Sequence, residues 1–365
     1  MKRNHIFYLL LCCSLLLLTA CSDSTEAKKT LPDTLFDPPG MIYLTTQFVT
    51  ITCEIEEVVI RYTTDGSNPS ESSPEYTEPV EIAHSTILKA RAYHEDWNPS
   101  DVAAARYTIP EMVFLPGGTI NIGDTRGEGI EDELPVHQVT ISDFYLGKYP
   151  VTQLEWIDVM DNNPSALSGR PEHPVESINW YATLVYCNKR SIKEGLTPVY
   201  TIDGSTNPDD WGEIPTSTSA SWSAVIAAWQ ADGYRLATES EWEFAARAGT
   251  NNPDYLYSGS DFADDVAWHS GNAGGSTQPV GSKNPNAFGL FDMSGNVYEW
   301  VWDWRDLYTG EDKINPTGPE TGTMKVERGG SYTQLSSRAR VSHRTHTLPR
   351  NGNHHRGLRV VRIAP

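Results

Sequence analysis

The side chains of this 365-residue chain best suited to chemistry are five cysteines, Cys12, Cys13, Cys21, Cys53 and Cys187, and four histidines within the last 23 positions, His343, His346, His354 and His355. A thiolate is a nucleophile and a soft metal ligand, so a close pair of thiols could hold copper or form a disulfide. Cys12 and Cys13 lie in the apolar stretch from Ile6 to Leu18 behind Lys2 and Arg3, the make-up of a secretory signal too short to span a bilayer. Leu18-Thr19-Ala20-Cys21 has the form of a bacterial lipobox, so Cys21 is the expected lipidation site. Its acyl chains would anchor the chain at about 0.8 kcal/mol per buried methylene. That leaves Cys53 and Cys187, expected to be two buried small hydrophobes, with an interdomain disulfide as the alternative. The histidines could ligate a metal. However, His343 and His346 have no partner at helical spacing, and adjacent His354 and His355 would face opposite sides of a strand, so surface loop histidines are the expected reading.

These groups must be positioned by a chain with 28 Lys+Arg against 48 Asp+Glu, a net charge of −20. Such a balance excludes a nucleic-acid binder, which needs a basic face. With 38% hydrophobic residues and 11 Trp, the chain can build packed cores, and its length suits two domains plus an accessory segment. The expected layout is a signal at 1–20, a lipidated tether at 21–37, a small β domain at 38–110 and a large domain at 111–365. Cleavage removes Lys2 and Arg3 and no acidic residue, taking the charge from −20 to −22. The expected location is the bacterial cell envelope. Because Ser22 rather than Asp follows Cys21, the outer membrane is the expected side.

From Ile42 to Ile109 short alternating runs such as Val49-Thr50-Ile51-Thr52-Cys53 predict an antiparallel sandwich. Arg61-Tyr62-Thr63-Thr64-Asp65-Gly66-Ser67-Asn68-Pro69, followed by Thr86 to Ala92 and Arg106-Tyr107-Thr108-Ile109, resembles the immunoglobulin-like domain at the C-terminus of chitobiases. The resemblance implies a spacer or presentation module.

The remainder, from Met112 to Arg362, is rich in Gly and Trp, and two helices are predicted: Val151 to Met160, and Thr238 to Ala248 with Thr238 and Glu241 as a capping box. In order come Phe114-Leu115-Pro116-Gly117-Gly118, Tyr149-Pro150-Val151-Thr152, His173-Pro174-Val175, Arg235-Leu236-Ala237-Thr238-Glu239-Ser240-Glu241-Trp242, Gly289 to Trp300, Arg328-Gly329-Gly330-Ser331-Tyr332 and Gly357-Leu358-Arg359-Val360. Together they resemble the formylglycine-generating enzyme (sulfatase-modifying factor) superfamily over some 250 residues. The resemblance implies an α+β, C-type-lectin-like fold with much irregular structure. In the oxidases of that superfamily a cysteine pair just after Gly-Gly-Ser-Tyr holds copper and converts a sulfatase cysteine to formylglycine. Here Gln334 stands at the first of those positions and no cysteine follows Cys187. An amide oxygen replaces a thiolate neither on copper nor in a disulfide, so no copper and no oxidase activity are expected.

The same resemblance implies structural calcium on Asp292, the carbonyls of Gly295 and Val297, and Glu299, with Asn272 in a second site; hard oxygen ligands suit that ion. The alternative is loop hydrogen bonding and an ion pair with an arginine such as Arg340 or Arg344. Eight of the 28 Lys+Arg fall between Arg328 and Arg362. They imply either an anionic-ligand site or pairs with core carboxylates such as Glu241, Glu243 and Glu299. Tyr332 to Arg356 contains no Lys, Glu, Met or Trp and is rich in adaptable hydrogen-bonding residues. It resembles the variable region of retroelement-diversified proteins built on the same lectin-like fold. Tyr332, Thr333, Gln334, His343, Thr345, His346, Arg350, Asn351, Asn353, His354 and His355 are the expected contacts to a protein or glycan ligand. The function expected is that of a lipid-anchored, non-catalytic binding protein. An oxidase and a structural component of an envelope assembly are the alternatives.

Overall fold

The computed structural model describes residues 28–364 except 42, 44, 45, 84, 85, 108, 251 and 252. The expected signal and Cys21 lie outside the described residues. Among the described residues no helix is long and apolar enough to cross a membrane.

The first domain is an antiparallel β-sandwich. One sheet runs Leu35–Asp37, Gln47–Thr52, Val80–Ile82, and the other Val59–Thr63, Thr86–Tyr93, Ala103–Tyr107. Alternation decides which side chains enter the core: along Gln47–Thr52, Val49 and Ile51 point inward, and along Thr86–Tyr93, Leu88, Ala90 and Ala92 do. The segment at 28–37, expected as tether, is instead part of this domain. The Leu31 amide donates to the Asn98 carbonyl (3.0 Å), Leu31 enters the core, and Leu35–Asp37 pairs with Gln47–Thr52. Its buried Leu31 and Thr34 are too few to show a period in the sequence, which is why it reads as loop.

The second domain is α+β. Two four-stranded sheets carry it: Arg235–Leu236, Val360–Ile363, Phe144–Gly147, Met112–Leu115 in that order, and Arg344–Thr347, Lys325–Arg328, Tyr298–Trp304, Arg356–Leu358 in the other. Both predicted helices form, as Gln153–Met160 and Glu239–Ala246. Each has a complete capping box, from Thr152 with Glu155 and from Thr238 with Glu241. A third, Trp180–Lys193, is the longest and was not predicted. Eleven of its 14 residues are buried, polar Thr183, Asn188, Arg190 and Ser191 among them, so burial along it does not follow residue polarity. It starts where Asn179 accepts the Ala182 amide at 2.9 Å. Arg106 of the sandwich pairs with Glu172 of the second domain across the junction.

Candidate functional site

The Arg328-Gly329-Gly330-Ser331-Tyr332 stretch leaves the second sheet through Gly329 and Gly330, both at positive φ. A side chain at Gly330 would come within 2.7 Å of the Arg338 carbonyl, so the turn that presents position 334 requires glycine. Gln334 is held by its backbone: its amide donates to Ser331 O (3.0 Å) and its carbonyl accepts from Ser270 (2.8 Å). Both remaining thiols are free. Cys187 is fully buried in helix Trp180–Lys193, and burial pushes its thiol far above the ordinary range. Cys53 is half-buried in the other domain, against the Pro32 carbonyl. Among the described residues neither thiol is bonded to Gln334.

Below that turn a continuous row of rings runs Tyr332, His354, His355, Tyr298, His343, with successive centroids 6.1, 5.2, 6.1 and 6.5 Å apart. It gathers four of the expected ligand residues around Tyr298, which was not among them. The Tyr298 amide donates to the His355 carbonyl at 2.8 Å, and this locks the order. His354 and His355 sit in a turn ahead of strand Arg356–Leu358, not on a strand, so both rings join one row instead of facing apart. The surface reading of the histidines holds for His354 and fails for His343, which is 1% exposed. Tyr332 is buried as well, so the row reaches solvent at His354 and, in part, at His355.

Burial, then the cations of Arg338, Arg328 and Arg340, push the His343 imidazole down to about 3; nearby Asp132 opposes them. Arg338 donates to its Nε2 (2.9 Å), consistent with a neutral ring. The unfolded chain takes up this proton below about 6.5, the folded chain only near 3. Between these values the unfolded state holds more protons, so this group's contribution is present above 6.5 and lost as pH falls. Buried Asp292 and Glu327, raised to about 6, act in the opposite direction. The expected result is therefore differential: unfolding of His343→Gln in urea loses less stability between pH 7 and pH 5 than unfolding of the unsubstituted chain, and equal losses would refute it.

The carboxylates expected to hold calcium are occupied by protein donors. Glu299 accepts Arg359 Nη2 (2.8 Å) on Oε1 and Trp242 Nε1 (2.7 Å) on Oε2. Asp292 accepts the Gly281 amide (2.7 Å) and Asn296 Nδ2 (3.2 Å), and burial raises it to about 6. Asn272 stands elsewhere, bonded to Asp264 (2.8 Å) and His269 (2.8 Å). Among the described residues no three His, Cys, Asp or Glu side chains converge on one point. The glutamate expected to join the Gly295 and Val297 carbonyls is ion-paired with Arg359. This donor set does not fit calcium as it stands, because the guanidinium of Arg359 already supplies the positive charge. Treating the purified protein with chelator is expected to leave its melting temperature unchanged, and a clear fall would return the ion to this loop.

The pairing expected of the C-terminal arginines is extensive. Arg359 pairs with Glu299, Arg344 with Glu239, Arg340 with Glu133, and Arg328 with Glu243, all buried. Neither Arg340 nor Arg344 takes the Glu299 role foreseen for it, and Glu241 pairs with Arg235. The other expected ligand residues fall into separate groups. Thr345 and His346 lie on strand Arg344–Thr347, where His346 approaches Asp132 at 3.9 Å. Asn351 bonds Thr347 (2.8 Å), the Asn353 carbonyl accepts the Ser177 amide (3.0 Å), and Arg350 reaches Thr218 (3.2 Å). Thr333 bonds Ser331 (3.0 Å) beside the turn. Of the basic residues that implied an anionic-ligand site, Arg338 is exposed and bonded to His343 instead of to a core carboxylate.

The described geometry agrees with known proteins. Residues 99–364 match the sulfatase-modifying factor enzyme 1-like domain, and residues 38–104 the chitobiase/beta-hexosaminidase C-terminal domain. The chain is 41% identical over 270 residues to a protein named chaperone protein LppX of Paenibacillus barcinonensis, covering 69% of this chain and 89% of that one. It is 26% identical over 336 residues to the formylglycine-generating enzyme of Streptomyces coelicolor, covering 73% and 93%. The solved structure of Treponema denticola variable protein 1 superposes with a TM-score of 0.64 at 33% identity, over 73% of this chain and 96% of that one. The ordered motifs, the α+β architecture and these matches agree: the chain belongs to the family of the sulfatase-modifying factor enzyme 1-like domain, with a chitobiase-type β domain ahead of it.

Proposed function

We propose that this is a lipid-anchored protein of the bacterial envelope whose second domain binds a protein or glycan ligand through residues 332–356 and performs no oxidation. The observation that carries the reading is the state of the thiols. Gln334 occupies the first oxidase position, Cys187 is sealed in a helix, and Cys53 is in the other domain. Copper chemistry of the family's kind needs two adjacent thiolates. The likeness to a protein named for variability supports a binding role for the C-terminal segment, and the sandwich would present that segment away from Cys21. Incubation with a Cys-x-Pro-x-Arg peptide, copper and oxygen is expected to give no aldehyde, and any aldehyde overturns the reading. Capture from envelope extracts is expected to recover a partner that His354→Ala no longer retains.

A second reading is favoured by the 41% identity to a protein named as a chaperone: the ligand would be another envelope protein during its maturation. A partner that associates only transiently and is stabilised by the purified chain would select this second reading. A stoichiometric, lasting complex would select a structural role.

A further inference from the structure

A cavity of about 190 Å³ lies where the two domains meet, away from residues 332–356. Ile109 and Pro110, in the stretch that joins the domains, line it together with Met112, Leu154, Val280 and Val360 of the second domain. The wall is mainly apolar. A cavity of about 150 Å³ already admits benzene, so this one has room for an apolar body of about five carbons.

Two charged side chains reach the cavity from different helices. Glu155, on Gln153–Met160, is 8% exposed, and Arg190, on Trp180–Lys193, is 2% exposed. Each spends only part of its bonding capacity on the protein. Thr152 donates twice to Glu155 Oε2, from its amide (2.8 Å) and its hydroxyl (3.1 Å). Oε1 accepts no hydrogen bond, and Arg190 Nη1 stands 3.6 Å from it. Arg190 donates through Nε to Glu194 (3.0 Å) and through Nη1 to the Tyr186 hydroxyl (3.4 Å), which leaves Nη2 without an acceptor. Neither Oε1 nor Nη2 is sealed in the way that the partnerless atoms of Thr34 and His343 are. The open space that both side chains line is this cavity, so an unused acceptor and an unused donor face it. The remaining charges on its wall are already paired, Arg106 with Glu172 and Glu111 with Lys148.

We propose that this cavity binds a small uncharged amphiphile, whose apolar body fills the space beside Met112 and Leu154 and whose amide or hydroxyl head bonds Glu155 Oε1 and Arg190 Nη2. A purely apolar ligand would bury both polar atoms unpaired, which is costly. A carboxylate head would stand against Glu155 and an ammonium head against Arg190, with no spare counter-charge on the wall. Burial raises the Glu155 carboxyl above its ordinary value, and Arg190 and Thr152 oppose it. An uncharged head that can both donate and accept suits either state of that carboxyl. Small-molecule sites occur preferentially at domain interfaces, with an apolar lining and a few placed polar groups.

The probe is pentanamide, added to the purified full chain labelled with carbon-13 at its methionine methyls and followed by NMR at pH 8. Met112→Leu identifies the Met112 signal. A saturable shift of that signal at millimolar pentanamide, with nuclear Overhauser contacts to the alkyl protons of the ligand, is expected, and 1-pentanol is expected to behave alike. Pentylamine and pentanoate are expected to bind at least tenfold more weakly. Glu155→Gln, which keeps the capping-box partner of Thr152, is expected to let pentanoate bind. Leu154→Phe, which fills the cavity, is expected to weaken pentanamide at least tenfold; should that variant not fold, the contacts to Met112 decide the site without it. No contact to Met112 at the solubility limit of pentanamide would overturn the site. Equal binding of pentanamide, pentylamine and pentanoate would overturn the choice of head group, and so would exclusion of pentanoate that Glu155→Gln leaves unchanged.

Discussion

Arg359→Ala is expected to destabilise the second domain by about 3–5 kcal/mol, the cost of leaving one member of a buried ion pair alone. Arg359 and Glu299 are each 1% exposed. The guanidinium reaches Glu299 through Nε (3.0 Å) and Nη2 (2.8 Å), and also donates to the carbonyls of Gly147 (2.8 Å) and Phe291 (2.7 Å). One side chain thus joins strand Phe144–Gly147 of one sheet to strand Tyr298–Trp304 of the other, through the loop at Phe291. Truncation leaves the buried Glu299 carboxylate without its cation and the buried Gly147 carbonyl without its donor. At roughly 2–4 °C per kcal/mol for a domain of this size, the melting temperature should fall by about 10 °C. Arg359→Lys should recover only part of the loss, because a point ammonium cannot reproduce the planar fork. A melting temperature for Arg359→Ala within about 2 °C of the unsubstituted protein would contradict this account.

Trp180→Ala is expected to cost a similar amount, about 3–5 kcal/mol, through a different cause. Trp180 opens helix Trp180–Lys193, is fully buried, and packs with centroid distances of 5.9 Å to Tyr181, 5.6 Å to Trp302 and 6.1 Å to Trp304. Its Nε1 donates to the Val301 carbonyl at 3.0 Å. The ring also forms one wall around Lys325, whose ammonium lies 3.9 Å from it and 3.7 Å from the Trp304 ring. Burial holds that ammonium well below the usual lysine range. Alanine would leave a large cavity and expose one side of the amine. Trp180→Phe, which keeps most of the volume and loses the hydrogen bond, should cost distinctly less. Urea unfolding of the two variants separates the packing loss from the polar one, and equal costs would contradict the cavity argument.

If the binding role is correct, the scaffold under the C-terminal segment is more consequential than any single contact on it. The arginines that attract attention in the sequence are mostly spent inside: Arg328, Arg340, Arg344 and Arg359 each meet a buried carboxylate. They fasten strands and loops together and leave Arg338 and Arg350 at the surface. The sequence left this basic cluster open between an anion site and pairs with core carboxylates, and for these four arginines the fold makes the pairs.

Sequence by itself determined what depends on residue type and short spacing. The absence of a thiol pair after Tyr332 needed no coordinates, because no other side chain does the work of a thiolate on copper. The capping box of Thr238 with Glu241 was legible, since a cap is a contact between residues three apart; that of Thr152 with Glu155 has the same spacing and emerged only with the structure. The alternation of Val49 and Ile51 likewise announced a half-buried strand. Tertiary structure alone decided which distant groups meet. Helix Trp180–Lys193 buries polar Thr183, Asn188, Arg190 and Ser191 beside its apolar residues, which residue type alone does not announce. Glu299 meets Arg359, sixty positions away, where calcium was expected. His343 and His355 join one row through Tyr298 although no local spacing relates them. Local order follows from the torsions and hydrogen bonds of near neighbours. The choice between a metal ligand, an ion-pair partner and a ring in a row is made by whichever distant element the fold packs against it.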